Sequence, residues 1–313
     1  MIELFQGIKV DWLGKRKLFF AISIGLLLIG MASLVAKGTF RYGLDFKGGT
    51  VVRVRFNDVV DISAVRNLIP DANIQSIRTA ETGSGSEFQI ELERQAEGED
   101  ASAGHDKVNK ALTAAFPGKF EIRGSESVSA KVGGDIRRQA IYATLYALVG
   151  ILVYIAFRFE WIYGAAAVFA VFHDTLVTLG FFSLFNYEIN LTVIAALLTL
   201  VGYSVNDTIV VFDRVRENLK TRRRDDLETV LNDSINQTLS RTILTSGLTF
   251  LTVLALFVFG GELINNFAFA MVIGIIVGTY SSVAVAAPLV LVYSRMRRPK
   301  IAPKVAVDRV GRR

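Results

Sequence analysis

The sequence contains no cysteine. That excludes disulfides, thiol catalysis and cysteine-based metal sites. Nothing in the sequence calls for a metal or a cofactor, and none is expected. Basic residues give a net charge of +6, but they are missing from whole stretches. The segments 186–190 (Asn-Tyr-Glu-Ile-Asn) and 261–265 contain no Lys or Arg. The cations cluster instead at the ends of apolar runs, the membrane-protein distribution, so no nucleic-acid partner is expected.

What is abundant is apolar: 51% of the residues, with a mean hydropathy of +0.41. These residues fall into six runs, each near the ~20 residues a helix needs to cross ~30 Å of hydrocarbon. The runs predict spans at about 18–37, 139–157, 161–185, 191–212, 241–260 and 266–293. The first follows Lys15, Arg16 and Lys17. It is longer than a signal-peptide core and no small-residue cleavage pattern follows, so it reads as an uncleaved helix. Lys and Arg crowd residues 1–17, 213–240 and the tail 294–313, including Arg295, Arg297, Arg298 and Lys300. The positive-inside rule then puts both termini in the cytoplasm and residues 38–138 outside. Arg137 and Arg138 run against it, within a long exported segment where the rule is weak.

Residues 38–138 read as a folded α+β domain. Val52, Val54 and Phe56 alternate with polar residues, as a strand does. Ile62, Val65, Leu68 and Ile69 have helical spacing behind Asp61 or Ser63 as cap. Residues 73–79 predict a weak strand, 83–86 a turn, and Phe88, Ile90 and Leu92 a half-buried strand. After a polar loop at 94–105, Val108, Leu112, Ala115 and Phe116 predict a helix, and Phe120 and Ile122 open a last strand. The order βαββαβ suggests a ferredoxin-like sandwich. His105 is expected in solvent, and no dense set of acids, histidines or nucleophiles points to catalysis here.

An ionisable side chain deep in a span costs roughly 2.5–3.5 kcal/mol on insertion scales, so each one is a candidate site. Asp207 lies seven residues before Arg214, about 10 Å inside the boundary. Thr192, Thr199, Tyr203, Asn206 and Asp207 are spaced as one polar stripe, with function set against a carboxylate that merely glues helices. Arg241, Thr245, Thr249 and Thr252 form a second stripe. If that helix begins near Ser234, Arg241 reaches the depth of Asp207 and the two can pair. Otherwise Arg241 snorkels to the interface. His173 and Asp174 sit near mid-span with Thr178 one turn on, either a proton relay or a pair that fixes helix rotation. Gly274 and Gly278 form a GxxxG expected to pack closely on another helix. The run Arg222–Arg224 reads as solvated or headgroup-facing.

Several of these residues stand in longer motifs. Gly43-Leu44-Asp45-Phe46-Lys47-Gly48-Gly49-Thr50 resembles the GxDFxGGT element of the SecD/SecF family of protein-export membrane proteins. His173-Asp174 resembles its HD pair. Residues 202–218, from Gly202 through Asn206 and Asp207 to Asn218, are very similar to its GYSxNDTxVVFDRxREN block. Residues 241–249, Arg-Thr-Ile-Leu-Thr-Ser-Gly-Leu-Thr, resemble RTxxTSxTT, and Gly260-Gly261 the GG turn. The elements run in family order from first span to last. One departs: where the family has VGxEL, this chain has Val132-Gly133-Gly134-Asp135-Ile136.

The resemblance is to the SecF side of that family. It implies a six-helix transmembrane bundle that is half of an RND-type transporter, carrying the exported ferredoxin-like domain. It implies a non-enzymatic accessory role in the bacterial inner membrane. The implied partners are SecD, the SecYEG translocon and the translocating polypeptide, with YajC and YidC as further candidates and protons as the driving species. The positions matching Asp207 and Arg241 are implicated in proton conduction, with Asn206, Asp174, His173, Thr245 and Thr249 beside them. Gly43, Asp45, Gly48 and Gly49 mark the exit of the first span. Three rivals stay open. An intramembrane aspartyl protease would need GxGD, where this chain has Val205-Asn206-Asp207. A small-molecule RND antiporter would carry twelve spans. A passive scaffold would not need Asp207 at all.

Overall fold

The computed structural model describes residues 9–77, 85–93, 103–158 and 160–297. Its elements, in chain order, are α1 (Arg16–Lys37), α2 (Leu44–Lys47), β1 (Gly49–Phe56), α3 (Ile62–Leu68), β2 (Ala72–Ile77) and β3 (Glu87–Glu93). They continue with α4 (Ala103–Ala115), β4 (Phe120–Val128), α5 (Ala130–Arg158), α6 (Trp161–Phe185), α7 (Leu191–Thr221), α8 (Leu227–Phe259), α9 (Glu262–Ser281) and α10 (Ala287–Arg297). A π-helical turn, Ser282–Ala286, joins the last two. Among the described residues six helical stretches are long and apolar enough to cross a membrane, the sixth running through α9, the π turn and α10.

Hydrocarbon offers no hydrophobic force between helices, so close backbone packing at small residues must hold them together. That is the pattern here. A Cβ on Gly30 of α1 would lie 2.7 Å from the Cα of Gly180 on α6. Gly274 is filled by Leu200 of α7, and a Cβ on Gly278 would lie 3.2 Å from Ser204 Cβ. The GxxxG of α9 therefore seats α7, as its spacing predicts. Ala166, Ala167, Ala170, Ala286 and Ala287 continue the thin seam where α6 meets the last helix.

The polar ends of the helices extend beyond the apolar runs. α5 starts at Ala130, so residues 132–136, ahead of the expected span, are helical. The segment 213–240, expected to be a loop, is mostly helix. α7 runs on to Thr221, and α8 begins at Leu227 behind the Asp226 cap, whose side chain accepts from Glu228 N. A second polar device closes this end. Asn232 Oδ1 accepts from Trp12 N and Leu13 N, both at 3.0 Å, and Asn236 Oδ1 accepts from Trp12 Nε1 at 3.0 Å. Glu228 pairs with Arg16 of α1 at 3.0 Å and with Arg295 of α10. The N-terminal segment is thus clipped along α8.

At the other end lies a four-stranded antiparallel sheet in the order β2-β3-β1-β4. Val52, Val54, Phe56, Phe88, Ile90 and Leu92 bury against Val65 and Ile69 of the α3 segment and Val108 and Leu112 of α4. His105 is not in a loop. It stands half-buried in the first turn of α4, where Gly104 packs so closely on Thr50 that a Cβ would come within 2.6 Å. The expected turn at 83–84, most of the 94–105 loop, strand positions 78–79 and the tail from Arg298 lie outside the described residues.

Candidate functional site

The first-span motif joins the sheet domain to the bundle. Gly43 N donates to Ile189 O at 2.9 Å, in the tight turn before α7. A Cβ on Gly43 would lie 3.1 Å from Asn190 Cβ. Asp45 Oδ2 accepts from Leu191 N at 2.9 Å, and Asn190 caps the same helix end by accepting from Val193 N at 3.0 Å. Gly48 and Gly49 take φ of 82° and 159°, positions that favour glycine, and any Cβ on Gly49 would strike Leu92 O. The divergent stretch Val132–Ile136 packs here as well. A Cβ on Gly133 would lie 3.1 Å from Phe46 O. The motif's glycines admit close backbone contacts, and its aspartate caps the start of α7.

Inside the bundle there are two separate buried carboxylates. Asp174 of α6 is 1% exposed. Its Oδ2 accepts from Ser204 of α7 and Ser281 of α9, both at 2.6 Å, and its Oδ1 lies 2.9 Å from His173 Nδ1. Thr178 donates to the Asp174 carbonyl rather than the carboxylate. One side chain therefore ties three helices together, immediately before the π turn at Ser282–Ala286. The far ring nitrogen of His173, Nε2, is buried with no hydrogen-bond partner among the described residues.

Asp207, also buried, accepts a 2.7 Å hydrogen bond from Ser246 of α8. Among the described residues it has no ion pair with Arg241, although Arg241 is close enough to act on it electrostatically. α8 does begin before Ser234, so Arg241 lies well inside the helix, yet its side chain is exposed.

The expected single stripe on α7 divides. Successive residues on a helix turn by about 100°. Asp207 faces inward, while Asn206 and Tyr203 face out of the chain. The stripe on α8 faces out with them. Arg241, Thr245 and Thr252 are exposed, and the Thr245, Thr249 and Thr252 hydroxyls donate back to carbonyls one turn earlier. Thr249 also reaches Tyr203 Oη at 3.4 Å. The result is an uncovered polar wall on α7 and α8, with a carboxylate just behind it.

Ser246, Ser204 and Ser281 were not singled out by spacing. Ser246 had a readable signal: with Thr242 it forms an i, i+4 pair parallel to Arg241–Thr245. Ser246 also lines an apolar cavity of about 390 Å³ between α1, α8 and α9. Thr242 and Thr279 line it too, each with a buried hydroxyl that lacks a hydrogen-bond partner among the described residues.

Comparison with known proteins places these features in a family. Residues 107–296 match the family described as "Protein export membrane protein SecD/SecF, C-terminal", and residues 33–58 match the SecD/SecF GG motif. A protein translocase subunit SecF from Koribacter versatilis is 40% identical over 95% of this chain and 94% of its own length. One from Calditerrivibrio nitroreducens is 44% identical over 92% of this chain and 95% of its own. The crystal structure of SecDF, a translocon-associated membrane protein from Thermus thermophilus, is 36% identical and superimposes with a TM-score of 0.77. That match covers 92% of this chain and 39% of the SecDF chain. A multi-pass membrane protein with this bundle, this joint and these matches belongs to the SecD/SecF family of protein-export membrane proteins and, within it, to the SecF translocase subunits.

Proposed function

We propose that the chain works with SecD as the proton-driven accessory unit of the Sec translocase, helping polypeptides leave the SecYEG channel. The observation that carries this reading is the buried Asp207 behind an outward-facing wall of Asn206, Tyr203, Arg241, Thr245 and Thr249. An uncovered polar wall at membrane depth needs a cover, because lipid cannot satisfy it. The chain spans only 39% of the SecDF structure it matches, and a SecD half is the fitting cover. Asp207 then exchanges protons between the two halves, and Arg241 adjusts its charge.

His173 and Asp174 form a second buried station, supported by a His173 Nε2 that has no partner among the described residues. Helix movement at either station reaches the exported domain through the Gly43–Gly49 joint. That domain, residues 38–138, has a sheet order and helix placement consistent with a ferredoxin-like sandwich. The Lys and Arg distribution supports an inner-membrane topology with spans in 18–37 and 139–293, and with residues 1–17 and 294–313 cytoplasmic. YajC and YidC are further candidate neighbours. One elementary charge moved through 100 mV is worth ~2.3 kcal/mol, enough to bias a two-state element.

The test is Asp207→Asn in membrane vesicles with SecD and SecYEG. ATP-driven insertion should persist, and the proton-gradient-dependent stage of export should fall by about tenfold or more. Export that stays fully sensitive to the gradient would refute the reading.

A further inference from the structure

A second polar concavity lies away from both carboxylates, at the end of the bundle where α5 turns into α6 beside the last turns of α7. It has a volume of about 590 Å³. Phe212 forms the floor, with the Tyr163 ring edge-on to it at 5.1 Å. Arg216 and Lys220, four residues apart on one face of α7, line one side together with Arg223 from the turn just after the helix.

The charges around this cleft are divided. Arg158 pairs with Asp213 at 3.1 Å, and Arg214 with Glu217 at 2.9 Å. Arg222 holds Asp225 and Asp233, both at 2.6 Å. Arg216, Lys220 and Arg223 have no ion pair among the described residues, and all three are exposed. Among the described residues Glu160 is the one acid lining the cleft, against the four cations Arg158, Arg216, Lys220 and Arg223. Three unpaired cations converging on a concave site attract an anion, and guanidinium forks suit phosphate oxygens.

The depth and rim select which anion. The cleft begins at Phe212, where the uninterrupted apolar stretch of α7 gives way to charged residues. Phe157 on its edge is 89% exposed, and Trp161 on the adjoining turn is 85% exposed. Large exposed aromatic side chains beside unpaired cations at a helix end match the headgroup layer of a bilayer. We propose that this cleft binds the phosphate headgroup of an anionic phospholipid, with its acyl chains lying along Phe157 and Trp161. Basic pockets between transmembrane helices are suited to such headgroups. The site holds a lipid beside the ends of α5 and α6, at the end of the helix that carries Asp207.

Trp161 can report on the site directly, because Trp12 is the only other tryptophan. The full chain carrying Trp12→Phe is reconstituted in phosphatidylcholine bilayers containing a small fraction of brominated phosphatidylglycerol or of brominated phosphatidylcholine. Brominated phosphatidylglycerol should quench Trp161 at a lipid fraction at least about fivefold lower, the effect of one well-placed cation. Adding Arg216→Gln, Lys220→Gln and Arg223→Gln should make the two lipids equal, and Lys220→Gln alone should remove part of the preference. Neutralising Lys9, Lys15 and Lys17 instead removes the same charge elsewhere and should leave the preference intact. Equal quenching at the outset, or a preference that survives the triple change, overturns the proposal. So does a preference lost equally in the lysine control, which assigns it to bulk charge. Loss of the preference on adding millimolar inorganic phosphate would assign the cleft to a soluble anion and overturn the lipid reading.

Discussion

Ser246 donates a 2.7 Å hydrogen bond to Asp207, and this contact, rather than an ion pair with Arg241, ties the carboxylate of α7 to α8. A hydrogen bond to a charged acceptor contributes roughly 1.5–3 kcal/mol. Ser246→Ala should therefore alter the energy of protonating Asp207 without moving either helix, since alanine leaves the backbone and cavity wall in place. The expected result is a shift in the pH dependence of gradient-driven export and about a tenfold change in its rate, with ATP-driven insertion unchanged. A pH profile identical to that of the unsubstituted protein would show that Ser246 does not set the site.

Asp174 is a different kind of carboxylate. Two serine hydroxyls from α7 and α9 converge on one of its oxygens. Asp174→Ala would strand both hydroxyls and His173 in a dry interior, at a cost of about 3–5 kcal/mol by analogy with broken buried pairs. The protein should lose stability sharply in detergent thermal unfolding. Asp174→Asn keeps an acceptor and should retain much of that stability. Normal gradient-driven export by a stable Asn variant would make Asp174 a structural pin. Loss of export at normal stability would make it a proton station.

The domain strands were legible because Val52, Val54 and Phe56 must alternate to face one core. The apolar runs showed the helices for a similar reason. Their polar extensions did not show in the length of the runs, because Glu228, Asn232, Asp233, Asn236 and Gln237 interrupt the apolar sequence. Yet Leu227, Val230, Leu231, Ile235 and Leu239 keep helical spacing, and Val230, Leu231 and Ile235 are buried. Asp207 stood out as a costly residue, yet its partner could not be read. Whether Arg241 or Ser246 meets it depends on the rotation of α8, which the clip of Asn232 and Asn236 on Trp12 and Leu13 helps to set from a distant part of the chain.

The α1–α6 crossing depends on two glycines in backbone contact. A methyl group at Gly30 would have to occupy space within 2.7 Å of Gly180 Cα. Gly30→Ala should separate the helices and destabilise the fold by about 1–3 kcal/mol, the usual range for overpacking. Gly25→Ala on the same helix, where a Cβ meets nothing within 4 Å, is the control and should be neutral. Equal unfolding temperatures for the two variants would contradict the crossing.

In the sheet domain, burial raises the Glu91 carboxyl above its ordinary value of 4.5, while hydrogen bonds from Gln89 and Asn73 act against it. The folded state therefore binds this proton more tightly than the unfolded state. Domain stability should rise as the pH falls through the folded value toward 4.5, then level off below it. Glu91→Gln removes that dependence and should stabilise the domain at pH 7. Hydrogen exchange at the paired strand residues Val52 and Ile90, corrected for intrinsic rate, would measure both effects. An unchanged pH slope in the Gln variant would place its origin elsewhere.

Thr242 provides the sharpest contrast between the isolated chain and its assembly. Its hydroxyl is buried against the apolar cavity beside Ser246 and has no partner among the described residues. An unsatisfied buried hydroxyl costs about 1–3 kcal/mol. Thr242→Val keeps the branched shape and removes the polar atom, so the purified chain should unfold at a higher temperature. If the hydroxyl gains a partner only when the helices shift during export, the same variant should be more stable yet slower in gradient-driven transport. A variant that is destabilised as a purified chain would mean that Thr242 is already satisfied there, and that its role is structural.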